Sequence, residues 1–289
     1  MFNLKSTIFK FFSLFSVIRV YNIIVIVIAQ YLTSIFILVH QKDTLEVILD
    51  PYLFVIILCS SIAIASGYII NNFYDYEKDI INRPIRSSID KSIRKRTKLS
   101  LYFALNFSCL CLSLLISIRA ASFFLVYIFA LWFYSHKLKK IVIIGNICSA
   151  ILTITPFFAI FLYYKNFELI IFIYALFLFF IILAKDIIKD LENLKGDFTL
   201  NYQTIAVVHG EKFSKVAISI IILISYINVI NLILNFDIGL MFYYYYLCLF
   251  ILAYILFILW KSRTKKDYLI IHNIMRALII LGIISIVLI

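Results

Sequence analysis

Asn71-Asn72-Phe73-Tyr74-Asp75-Tyr76-Glu77-Lys78-Asp79 closes an apolar run that starts at Pro51, and Ile80-Ile81-Asn82-Arg83-Pro84 follows it. Asn71, Asp75 and Asp79 are spaced four apart. A helix turns about 100° per residue, so each step drifts only about 40° and the three share one face. A second cluster closes a later apolar run: Asp186, Asp190, Asn193 and Asp197, within Lys185 to Asp197. Its steps of four, three and four keep all of these residues within about 60° of one another if the segment is helical. Two acidic helix faces, each ending a hydrophobic segment, suit divalent metal and polyphosphate at a membrane surface.

The rest of the chain reads as membrane. Of its residues 64% are hydrophobic and 15% charged, against about 25% charged in soluble domains. Nine candidate spans follow, at roughly 17–39, 51–71, 99–118, 120–135, 141–163, 167–184, 216–235, 239–260 and 269–289. As helices they cross about 30 Å of hydrocarbon, with 120–135 short and its separation from 99–118 placed at Arg119. The start lacks a small-residue cleavage site before the first span, so no cleavable signal peptide is expected. The expected fold class is therefore all-α membrane protein, one domain over 1–289. The two longest hydrophilic breaks, about 72–98 and 185–215, follow the second and sixth spans. That equal phase suggests two four-helix halves, about 17–135 and 141–260, plus a final helix at 269–289, without strong self-similarity of sequence.

Of the 27 Lys and Arg, all but Lys42, Arg119, Lys165 and Arg276 fall in breaks on one side. The positive-inside rule puts the N-terminus and both acidic clusters in the cytoplasm and the C-terminus outside. The net charge of +12 thus reports topology and attraction to the lipid bilayer, not nucleic acid, because the basic residues form short interhelical clusters. The five cysteines sit in apolar stretches without a CxxC pair and read as buried small hydrophobes. The four histidines are scattered with no HExxH, and glycine is too sparse for a phosphate-binding loop. Tyr243–Tyr246 reads as an interfacial aromatic belt.

The chemistry that wants these residues is that of a hard cation. Mg²⁺ keeps several waters and takes a few carboxylates plus phosphate oxygens. Two carboxylate faces could hold Mg²⁺ and a diphosphate, with the metal acting as Lewis acid on the leaving group. Arg83, Arg86, Lys137, Lys139 and Lys140 could reach the outer phosphate oxygens. Rings such as Phe73, Tyr74 and Tyr76 could face a developing carbocation. One acidic helix end alone is often solvated surface; two on the same side are better explained by function.

Asn71-Asn72-Phe73-Tyr74-Asp75 through Asp79, then Asn82-Arg83-Pro84-Ile85-Arg86, resembles the first motif of the UbiA superfamily of intramembrane prenyltransferases, N-D-x-x-D-x-x-x-D followed by N-R-P. Lys185 to Asp197 is similar to its second aspartate motif. Arg19-Val20-Tyr21-Asn22 and Tyr134-Ser135-His136-Lys137-Leu138-Lys139 are weaker echoes. The resemblance implies nine helices around a central cavity. It also implies Mg²⁺-dependent transfer of a prenyl group from an isoprenyl diphosphate to a lipophilic acceptor. Carried over, Asn71, Asp75, Asp79, Asp190, Asn193 and Asp197 are the metal-site residues, with Asp75, Asp79, Asp190 and Asp197 the catalytic acids. Asn71, Arg83, Arg86, Lys137 and Lys139 take the diphosphate. The chain departs from the family pattern twice: Asn72 replaces the usual Asp, and Asn193 replaces the Asp common in the second motif, with Asp186 or Asp190 as compensating acids. The second motif's wording leans toward the branch that alkylates geranylgeranylglyceryl phosphate. Quinone-precursor, haem and chlorophyllide acceptors stay open, as does an ion-coupled transporter from another class.

Overall fold

The computed structural model describes residues 13–39, 43–90 and 93–289, apart from the side chains of residues 86 and 89. Among the described residues the chain is helical, with no strand. In order, the helices are α1 (Val20–Leu32), continued by a π-helical stretch at Thr33–Leu38, α2 (Thr44–Ile48), α3 (Pro51–Tyr74), α4 (Tyr76–Asn82) and α5 (Pro84–Asp90). Then come α6 (Lys95–Leu114), α7 (Ile118–His136), α8 (Ile144–Tyr164), α9 (Leu169–Glu192), α10 (Leu194–Thr199) and α11 (Ile205–Val208). The last are α12 (Gly210–Asn235), α13 (Phe242–Lys261) and α14 (Lys265–Ser285).

Nine of the described segments are long and apolar enough to cross a membrane, and each expected span falls on one of them. Their ends differ from the hydropathy boundaries because caps and polar turns, not hydrophobicity, stop helices. The span expected to be short, 120–135, runs Ile118–Lys140 over 23 residues. Ser117 is its N-cap, accepting from the Ala120 amide at 3.0 Å. Arg119 thus lies in the first turn of α7 and not at the break, which is a correction of the expected split. Asp50 caps α3 through the amides of Tyr52 and Leu53, with Pro51 in the first turn. Thr264 and Asp267 form a capping box on α14.

Contacts divide the chain into two compact units, 1–28 with 48–138 and 29–47 with 139–289. In the first, α3 packs on α6 and α7 and is the most buried of the nine spans. Its middle is rich in small buried residues, Ser60, Ala63, Ala65, Ser66 and Gly67, which allow helices to approach closely without water to drive them together. A Cβ on Gly67 would stand 3.2 Å from the Leu131 methyl carbons. Cys59 and Cys109 meet here, each thiol on the other's carbonyl at 3.4–3.6 Å. Cys248 is buried as well, whereas Cys111 is exposed and Cys148 half-buried, so the uniform burial expected of the cysteines holds for three of them.

In the second unit α9 is central, packed against α8, α12 and α14. A continuous apolar core runs through it, from Ala150 and Ile181 to Leu252 and Met275. In both units outward faces carry large apolar side chains, such as Phe103, Phe129, Phe250 and Phe257. A helix apolar all round is at home in lipid.

Candidate active site

The first acidic stretch straddles a joint. α3 ends at Tyr74 and α4 begins at Tyr76; Asp75 between them has φ −88° and ψ 3°. That region of backbone space is sparsely used and frequent in active sites. The helical ladder nevertheless continues through it. The Asp75 amide donates to the Asn71 carbonyl at 2.9 Å, Asp79 to Asp75 at 2.8 Å and Arg83 to Asp79 at 2.8 Å. Asn71, Asp75, Asp79 and Arg83 therefore stack turn upon turn, as their four-residue spacing requires. Asp75 is buried, while Asn71, Asp79 and Arg83 are half-buried.

The second stretch repeats the device within its own unit. α9 ends at Glu192, α10 starts at Leu194, and Asn193 between them has φ −100° and ψ 9°. The Asn193 amide donates to the Lys189 carbonyl at 3.0 Å and the Asp197 amide to Asn193 at 3.1 Å. Asp186 and Asp190 lie inside the sixth span, whose helix runs on to Glu192 and not to 184. Asn193 and Asp197 are both buried. The Asn193 side-chain oxygen has no hydrogen-bond donor among the described residues, although buried polar atoms almost always find one.

Neighbouring helices hold the acids of this unit. On α8, Asn146 donates to the Asp190 carboxylate at 2.7 Å and Ser149 to the Asp186 carboxylate at 2.6 Å. Lys185 pairs with the other Asp186 oxygen at 3.0 Å. From α14, His272 Nδ1 lies 2.8 Å from Glu192 Oε2, both buried. Sequence reasoning missed Asn146, Ser149 and His272. Their signal was there, as polar side chains inside apolar spans, but which acid each one meets depends on helix packing.

The basic candidates separate. Lys137 is exposed at the end of α7, Lys139 is half-buried, and Lys140 lies with its Nζ 5.2 Å above the Tyr202 ring. Arg86 sits on α5, and its side chain lies outside the described residues. Arg19, in a left-handed conformation, stacks 5.1 Å from Tyr68, whose hydroxyl accepts from Asn22. Of the aromatic candidates, Tyr76 is covered by Lys95 at 5.4 Å, while Phe73 and Tyr74 meet edge to face at 5.7 Å.

No three His, Cys, Asp or Glu among the described residues gather into a ready-made metal cage. The acids stand in file along two ladders. That suits Mg²⁺, which takes one or two carboxylates and completes its shell with water and phosphate. The ligand atoms on offer are all oxygens, and the donor-free oxygen of buried Asn193 is an acceptor a cation would satisfy.

The second unit also encloses an apolar cavity of about 140 Å³, with Phe157, Phe161, Tyr174 and Tyr244 among its walls. On α8, Asn146, Ala150, Ile154, Phe157 and Phe161 form one stripe, so the cavity begins about 12 Å along that helix from Asn146.

A family model described as the UbiA prenyltransferase family matches residues 13–277. Digeranylgeranylglyceryl phosphate synthase of Methanosphaera stadtmanae is 32% identical over 206 residues, 70% of this chain and 72% of that protein. The protein of the same name from Sulfurisphaera tokodaii is 31% identical over 219 residues, 74% of this chain and 77% of that one. A solved structure of a digeranylgeranylglyceryl phosphate synthase superposes with TM-score 0.70 at 22% identity, over 96% of this chain and 97% of that one. A UbiA homolog from Archaeoglobus fulgidus bound to GPP and Mg²⁺ superposes with TM-score 0.69 at 14% identity, over 95% and 99%. At such identity these structures establish a shared fold.

Proposed function

The chain belongs to the UbiA prenyltransferase family, and from that premise we propose a Mg²⁺-dependent transfer from an isoprenyl diphosphate to a glycerophosphate-type lipid acceptor. Family membership makes it a multi-pass membrane enzyme and sets aside the ion-coupled carrier. The acceptor follows the relatives matched at 31–32% identity, all digeranylgeranylglyceryl phosphate synthases. In the reaction the bond between the prenyl carbon and the diphosphate breaks. An ether bond forms to the acceptor hydroxyl, and diphosphate and a proton are released.

The observation that carries the reading is the pair of oxygen-only ladders, each jointed at a motif residue, Asp75 or Asn193. When bound, Mg²⁺ neutralises the departing diphosphate as a Lewis acid. Asn71, Asp75 and Asp79 present oxygens for one ion, and Asp190, Asn193 and Asp197 for another. Asn146 fixes the Asp190 carboxylate at 2.7 Å, so that acid is oriented before the substrate arrives. Arg83, Arg86, Lys137 and Lys139 take the outer phosphate oxygens. The bias of basic residues supports a cytoplasmic side for this chemistry.

Purified protein supplied with labelled geranylgeranyl diphosphate and geranylgeranylglyceryl phosphate should form the diether in Mg²⁺. It should form none in EDTA, and recover on adding Mg²⁺ back. Undiminished turnover in EDTA overturns the metal role. Product with a hydroxybenzoate or dihydroxynaphthoate acceptor, and none with the glycerophosphate, moves the enzyme to the aromatic branch.

A further inference from the structure

Beside the first acidic ladder lies a polar cluster, half-buried at Asn72 and buried at Asp90 and Lys98, that the ligand assignments leave unused. Asn72, in the last turn of α3, donates through Nδ2 to Asp90 Oδ2 at 2.9 Å. Its Oδ1 accepts from Lys98 Nζ at 2.7 Å. The other Asp90 oxygen accepts from Ser16 Oγ at 3.2 Å. Asp90 is 2% exposed and Lys98 3%. Around them Val17, Ile69, Ile70 and Tyr102 make an apolar cluster with Ile93 and Leu99. All of these residues belong to the first compact unit.

Three features give the cluster a task. It ends the segment that holds the ladder: Asp75, Asp79 and Arg83 all lie between Asn72 and Asp90. It joins three helices, α3 through Asn72, α5 through Asp90 and α6 through Lys98. And it demands an amide at 72, since one end must donate to a carboxylate and the other accept from an ammonium. Asp90 and Lys98 are oppositely charged, and the amide relays between them. A carboxylate at 72 would set oxygen against oxygen at the 2.9 Å contact with buried Asp90, where water screens the repulsion poorly.

We propose that Asn72 is a positioning residue and not a metal ligand: with Asp90 and Lys98 it forms a clasp that fixes the helical segment carrying Asp75 and Asp79. The inference rests on the reading of those two acids as ligands of the metal and diphosphate. The clasp holds the far end of α4–α5, whose near end joins α3 at Asp75. With both ends held, the Asp75 and Asp79 carboxylates keep the geometry that binds the metal diphosphate.

The geometry also supplies its own control. In the double variant N72D/D90N the donor and acceptor exchange places. The carboxylate introduced at position 72 would accept from Lys98 and from the amide introduced at position 90. Ser16 would still donate to the side-chain oxygen at position 90. Hydrogen bonds, size and net charge are all preserved, whereas N72D alone sets two carboxylates face to face and D90N alone leaves Lys98 without its counter-charge.

The test measures Mg²⁺ with inorganic pyrophosphate stabilising the detergent-solubilised protein against heat, and Mg²⁺ dependence of turnover with geranylgeranyl diphosphate. N72D and D90N should each raise the Mg²⁺ concentration for half-maximal stabilisation by about tenfold or more, the scale of a lost charge-assisted hydrogen bond. The double variant should return near the wild-type value. N72D binding Mg²⁺ more tightly overturns the proposal, because position 72 would then be a ligand. Variants that melt earlier without metal yet keep wild-type Mg²⁺ dependence overturn it too, since the clasp would then only support the fold. Should N72D not survive purification, the double variant must bind Mg²⁺ pyrophosphate more tightly than D90N; equal or weaker binding overturns the clasp. A wild-type protein that Mg²⁺ pyrophosphate does not stabilise at all overturns the proposed function itself.

Discussion

Asn193 is an amide on a ladder of acids. Its oxygen can reach a cation but brings no charge, so the ion held with Asp190 and Asp197 should bind more weakly than one with three carboxylates. Asn193→Asp should therefore lower the Mg²⁺ concentration for half-maximal activity without changing which prenyl chain is used, as a Mg²⁺ titration of turnover on two chain lengths would show. Asp186 is a different case. Its carboxylate accepts from Ser149 at 2.6 Å and pairs with Lys185 at 3.0 Å, and we expect these contacts to give it a structural role. Asp186→Asn should leave the Mg²⁺ titration in place and lower the melting temperature in detergent; a shifted titration would make Asp186 a ligand. Asn146→Leu strips the 2.7 Å donor from Asp190. It should cost about 1.5–3 kcal/mol of transition-state stabilisation, read as kcat/KM. Asp75→Ala and Asp79→Ala should cost several kcal/mol each, since a lost ligand leaves the departing diphosphate less neutralised.

At the scale of elements, α3 carries the first ladder and its rigidity depends on close packing. Gly67 lets it approach α7, where a side chain would meet Leu131 at 3.2 Å. Gly67→Val should destabilise the protein by about 1–3 kcal/mol through overpacking. Thermal unfolding in detergent would show it, and a simultaneous Leu131→Ala should recover part of the loss. The joints at Asp75 and Asn193 mark where long apolar helices give way to short polar ones, α4 and α10. Both ladders keep their hydrogen bonds across the joint, so a four-residue spacing survives a change of helix.

At the scale of the molecule, the nine membrane-length helices among the described residues should put Ser16 and Ile289 on opposite sides of the membrane. With native cysteines replaced, Ser88→Cys on α5 should be protected from an impermeant thiol reagent added outside intact cells. Leu115→Cys, exposed between α6 and α7, should be labelled. The reverse pattern would invert the orientation and the cytoplasmic placement of both acidic stretches.

The membrane class, the count of spans and the two ladders were all legible before any coordinate. Each of these rests on local periodicity or on composition: apolar length decides insertion, and four-residue spacing decides a shared face. The amides at positions 72 and 193 were visible too, but nothing in the chain order told them apart. Packing did. Asn72 is closed at both ends by Asp90 and Lys98, while the oxygen of Asn193 has no donor among the described residues. The pairings of Asn146 with Asp190 and His272 with Glu192 were equally out of reach, since their partners lie 44 and 80 residues apart. Which polar side chain in a greasy span meets which acid is set by the rotation and depth of one helix against another, and helix–helix packing, not local periodicity, fixes that.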